Sequence, residues 1–132
     1  MEIKIEKLIP IEVLENVVVT ALEGGSNYWY YLTDDAIRLI RKAVPKNEEA
    51  YLSVAILKAV LYHNVEVPIH DIENEDDVLG YFSGKTLPQR LQELADDDSY
   101  NWALESEIAG NGDADSSDVV FQYIVLGEVI FS

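Results

Sequence analysis

The chain has 132 residues, the size of one ordinary domain, and its 48% hydrophobic and 26% charged side chains describe a folding polymer rather than a disordered one. Nine basic residues face 25 acidic ones, a formal charge of -16 that repels phosphate backbones and anionic membranes and so argues against direct nucleic-acid or membrane binding. No cysteine is present, which excludes disulfide frameworks, thiolate zinc sites and cysteine nucleophiles, and the lack of a basic-then-apolar leader or a long apolar run makes the cytoplasm the expected location.

Leu14, Val17, Val18, Ala21 and Leu22 recur at helical spacing. They predict a first helix with Pro10 in its first turn, ending at about Glu23, where Gly24-Gly25 would supply a left-handed cap. An aromatic loop, Tyr28 to Tyr31, follows. A second helix is predicted after Thr33, with Asp34 and Asp35 in its first turn, Arg38, Arg41 and Lys42 further along and Pro45 beyond its end. Asn47, Glu48 and Glu49 open a third helix running to about His63, although its Val, Ile and Tyr content also suits a strand.

From Val65 the period becomes two, with Val67 and Ile69 on one face, which predicts a strand. Pro68 places that strand at an edge, and the polar stretch Glu73 to Asp77 turns it into Val78 to Phe82, a β-hairpin over about 65–83. Thr86 is read as the cap of a helix that turns Leu87, Leu91 and Leu94 inward and is interrupted at Asp96 to Ser99. A short helix from Trp102 to Ile108 and a turn at Gly110-Asn111-Gly112 precede a last helix, Ser116 to Ile130, apolar around most of its circumference and therefore central. A strand from Val119 to Leu126 is the alternative. The expected fold is α+β: one mostly helical domain with a hairpin and with the first and last helices packed in the core.

Two polar stripes interrupt these apolar helices: Asn16, Thr20 and Glu23 on the first, Asp115, Asp118 and Gln122 on the last. Such groups face water, pair with each other or line a pocket. Gln122 reads equally as a core amide satisfied by backbone, and Asp115 and Asp118 as first-turn acids. Glu23, Asp115, Asp118 and Glu128 would offer hard oxygen ligands to a divalent metal if folding gathered them, but no calcium-loop pattern is present, and no metal or cofactor is assigned. Gly24, Gly25, Asn27, Tyr28 and Trp29 join flexible backbone to flat rings suited to stacking, or to packing beneath a loop. His63 and His70 lie in no catalytic arrangement, since Asp71 points to the opposite side of the strand from His70.

The segment Ala21-Leu22-Glu23-Gly24-Gly25-Ser26-Asn27-Tyr28-Trp29, together with Asp115, Asp118, Gln122 and Leu126-Gly127-Glu128, resembles an uncharacterised family of small proteins encoded by bacteriophages and prophages. The likeness covers the two ends and not the middle, 38–106. It implies a mobile-element origin and marks both ends as a shared site, without implying an activity. The chain thus reads as a non-enzymatic phage or prophage accessory protein that binds a host or phage protein through its acidic surface. The alternative is a small-ligand (nucleotide-like) or divalent-metal module in which Asn27, Tyr28 and Trp29 close over a pocket lined by Glu23, Asp118 and Gln122. An enzyme with Glu23 and Asp118 as paired carboxylates is a third reading.

Overall fold

Leu14, Val17 and Val18 bury one face of the first helix, α1 (Ile11–Thr20), in the computed structural model, which describes residue 3 and residues 8–132. Past Thr20 the helix widens into a π-helical turn, Ala21–Gly25, closed by the Ser26 amide donating to the Ala21 carbonyl at 2.8 Å. This corrects the expected left-handed cap: neither Gly24 nor Gly25 has a positive φ. Gly25 answers instead to crowding, since a Cβ there would stand 2.7 Å from the carbonyl oxygen of Ala114.

The aromatic segment expected as a loop contains a two-residue strand, β1 (Tyr30–Tyr31), and leads into α2 (Asp34–Ala43), whose first turn is capped by the Thr33 hydroxyl accepting from the Ala36 amide at 3.1 Å. The next helix, α3 (Leu52–Tyr62), starts later than Asn47 to Glu49 suggested. The amides of Glu48 and Glu49 donate to the Pro45 carbonyl, forming a separate turn, and the Glu49 carboxylate is held by Lys58 at 3.0 Å.

The hairpin is present as β2 (Val67–Asp71) and β3 (Val78–Phe82), antiparallel, with β1 added on the far side in the order β1-β2-β3. Pro68 therefore lies in the central strand and not at the sheet edge. It is tolerated because β1 pairs only with His70 and Asp71, so the flank of β2 beside Pro68 has no ladder to break.

Helices α4 (Leu87–Ala95) and α5 (Asn101–Ile108) are separated where Asp96 to Ser99 predicts, although the Thr86 hydroxyl donates to the Ser83 carbonyl instead of capping α4. The last helix, α6 (Ala114–Leu126), begins two residues before the expected Ser116 and stops short of Ile130, because Gly127 takes the left-handed φ of 76° and its amide donates back to Tyr123 at 2.9 Å.

Packing against α1, the π-turn, α4, α5 and β3 places α6 at the centre, which accounts for its apolar circumference. Gly80 on β3 comes so close to it that a Cβ would lie 2.4 Å from the Val125 carbonyl oxygen. Phe121 of α6 meets Trp29 at 5.9 Å and Phe82 at 5.8 Å between ring centroids, joining the helices and the sheet in one hydrophobic core. The fold is thus α+β and mostly helical, with the first and last helices packed together. Among the described residues no helix is long and apolar enough to cross a membrane.

Candidate functional site

The start of α6 is pinned by a reciprocal cap in which the Asp113 carboxylate accepts from the Ser116 amide at 2.9 Å while the Ser116 hydroxyl accepts from the Asp113 amide at 2.8 Å. Asp118 and Gln122, one turn apart, then project from the same side of α6. At the other end of the chain, the π-turn redirects the backbone so that Ser26, Tyr28 and Trp29 all reach Asp118.

One Asp118 oxygen, Oδ1, accepts from the Ser26 hydroxyl at 2.7 Å and from the Trp29 indole at 2.8 Å. The other, Oδ2, accepts from the Tyr28 hydroxyl and from the Gln122 amide, the latter at 3.1 Å. Burial of the Tyr28 hydroxyl, followed by its bond to Asp118 and the charge of that group, raises the phenol well above its ordinary range. Gln122 in turn holds residues 130–131 as a strap: its Oε1 accepts from the amides of Ile130 and Phe131 at 2.9 and 3.0 Å, and its Nε2 donates to the Phe131 carbonyl at 3.1 Å. The Phe131 ring stacks on Trp29 at 5.3 Å with 7° between the planes.

Asp118, Gln122, Trp29 and Ser26 are all buried, so these bonds form a closed clasp between the two ends of the chain. Every acceptor direction of Asp118 is taken by the protein itself, leaving it no free lone pair with which to act as a base or ligand. The pocket expected between Glu23, Asp118 and Gln122 is filled: Trp29 is 1% exposed and packed rather than poised to close over a ligand.

The polar stripe of α1 does not join this clasp. Asn16 and Glu23 are exposed, and Glu23 accepts from the Ser53 hydroxyl of α3 at 3.1 Å. Nearby, the Tyr30 hydroxyl caps the Leu22 carbonyl at 2.5 Å, and burial, then the charge of Glu23, pushes that phenol up. Gly24 and Asn27 are exposed, Gly25 lies against the first turn of α6, and Glu128 is exposed beyond Gly127. Glu23, Asp115, Asp118 and Glu128 are therefore not gathered, and among the described residues no group of three or more His, Asp or Glu side chains is placed to hold a metal ion.

Open space lies outside the clasp, as a groove of about 810 Å³ between Tyr28, the start of α5, the exposed side of α6 and the strap. Tyr28 and Trp102 stay roughly half exposed along it, Ile130 more so, with Asp115 on its wall. Neither Trp102 nor Tyr100, which also lines it, was singled out by the sequence pattern, because a ring at a helix start has no period to mark it. Ser26 was legible only as the small polar residue between the glycines and the rings.

A second buried carboxylate locks α5 to α6. Glu107 Oε1 accepts from the Ser116 and Ser117 hydroxyls, each at 2.7 Å, and Gly112 lies so close that a Cβ would stand 2.1 Å from its other oxygen. Further along α6, the Tyr123 hydroxyl donates to Asp97 at 2.6 Å. That bond, with burial, pushes Tyr123 up to about 12, and the same bond, joined by the Ser99 amide, holds Asp97 below its ordinary value. No family model, curated protein or solved structure matches the chain.

Proposed function

We propose that this chain is a non-enzymatic accessory protein of phage or prophage origin that acts by binding a host or phage protein through its acidic surface. The observation that carries the reading is the division between the clasp and the groove. The buried carboxylate best placed for chemistry, Asp118, is saturated by four donors of the chain itself, while the rings of Tyr28 and Trp102 remain open on the outside. Buried and satisfied polar groups stabilise; exposed aromatic rings beside a groove recognise partners.

Charge supports the same reading. Arg90 is the last basic residue and ten carboxylates follow it, so the chain beyond Arg90, through α5 and α6, carries a negative field with no Lys or Arg in that stretch. The resemblance to phage-encoded proteins rests on the two segments that meet in the clasp, which accounts for their occurring together in one sequence. Immobilised protein incubated with a bacterial host lysate, followed by purification and titration of whatever is retained, tests the proposal. A saturable complex whose affinity falls with added salt is the expected result. Absence of any stoichiometric complex, or one indifferent to salt, overturns it.

The groove volume also lies in the range of small-molecule sites, so a second reading places a small ligand there, outside the filled space between Glu23, Asp118 and Gln122. A thermal-shift series with nucleotides and divalent ions separates it from protein docking, since a saturable shift with one of them would support that alternative.

A further inference from the structure

We infer that the groove beside the clasp is a docking slot for an arginine side chain of a partner protein, the guanidinium stacking on the rings of Tyr28 and Trp102 with Asp115 as its counter-charge. The inference rests on the protein-binding reading and gives the partner a chemistry. Among the residues lining the groove there is no Lys, Arg or His, whereas Asp115 is exposed on its wall and the whole chain carries a formal charge of -16. An anionic ligand is disfavoured there and a cation is attracted.

The rings are placed for contact rather than for the core. On α5 the buried side is formed by Ala103, Leu104 and Glu107, and Trp102 stands away from it at 45% exposure. Tyr28 is 46% exposed, yet its hydroxyl is fixed by Asp118 and by the Gln122 amide at 3.3 Å, so its ring is held in one orientation before any partner arrives. A fixed ring loses little entropy on binding. Arginine suits this slot better than lysine because its planar, weakly hydrated guanidinium stacks on aromatic faces, while an ammonium keeps its water.

The test is a titration of the isotope-labelled full chain, followed by NMR, with an Arg-Gly-Gly repeat peptide and with the same peptide carrying lysine or uncharged citrulline in place of arginine. Saturable movement of the Trp102 indole and of the Tyr28 and Asp115 amides is expected with arginine, several-fold weaker binding with lysine and none with citrulline. Trp102→Ala, an exposed position that leaves the core intact, should weaken arginine binding roughly five- to tenfold. Equal binding of the arginine and lysine peptides with shifts spread over the acidic surface, or no shift in the groove, overturns the inference. If a partner protein binds Trp102→Ala as tightly as the parent, the slot is refuted while protein binding stands. If no partner forms a complex at all, the broader proposal fails first.

Discussion

Replacing Asp118 with alanine withdraws one acceptor group from four donors at once, and their surroundings decide the outcome. The Tyr28 ring is half exposed and its hydroxyl can turn to water, and the Gln122 amide keeps its bond to the Phe131 carbonyl. The Ser26 hydroxyl and the Trp29 indole, at 0% and 1% exposure, have no such escape. Two stranded buried donors at about 1–3 kcal/mol each give a loss of roughly 2–6 kcal/mol, a large part of the ~5–15 kcal/mol that holds a typical domain together. Asp118→Asn keeps one oxygen for Ser26 and Trp29 and turns its amide toward the Tyr28 hydroxyl, which can rotate to accept, and toward the Gln122 amide, which cannot flip because its own oxygen holds Ile130 and Phe131. Its cost should be about 1–3 kcal/mol. Urea unfolding followed by tryptophan fluorescence measures both, and a midpoint drop on the order of 2 M is expected for the alanine variant. An alanine variant within about 0.5 kcal/mol of the parent, or an asparagine variant equally damaging, would refute the reasoning.

Gly80→Ala should lower the melting temperature by the equivalent of about 1–3 kcal/mol, because its Cβ meets backbone of α6; Gly24→Ala, with nothing within 4 Å, should be neutral or stabilising. Thermal scans of the two variants separate close approach from mere glycine content. Tyr123 holds its proton to about 12 when folded against an ordinary 10.0, so its contribution is complete below pH 10 and lost as pH rises through about 12. Asp97 is the mirror case: its contribution is present above its ordinary 3.8 and lost as pH falls below that value. Tyr123→Phe should therefore flatten both limbs of the curve of urea midpoint against pH, and limbs unchanged from the parent would contradict the pairing. Gln122→Ala should release the strap, seen as fast hydrogen exchange at the Ile130 and Phe131 amides where the parent exchanges slowly.

Helix α2 is legible in the letters because caps and end charges act within a few residues: Thr33 bonds to Ala36. The hairpin is legible for the same reason, through the alternation of Val67 and Ile69 and the polar turn that follows. Local signals misled wherever a distant neighbour outvoted them. Gly25 looked like a cap but serves close approach to Ala114; Pro68 looked like an edge residue but sits in a central strand whose other neighbour is too short to reach it.

The two polar stripes show the boundary most clearly. Their spacing placed Glu23 on one helix and Asp118 and Gln122 on another, and no spacing rule could say which would meet. The partners of Asp118 are Ser26, Tyr28 and Trp29, 92, 90 and 89 positions away, while Glu23, three residues before Ser26, turns to α3. A π-helical turn re-aims the chain between Glu23 and Ser26, with Gly25 lying against α6 and Tyr30 capping the Leu22 carbonyl. Periodicity and capping act over one or two turns of chain, so they set which side chains share a face. Which faces touch is set by packing around Phe121, where contributions from α6, β3 and the segment after α1 must fit at once.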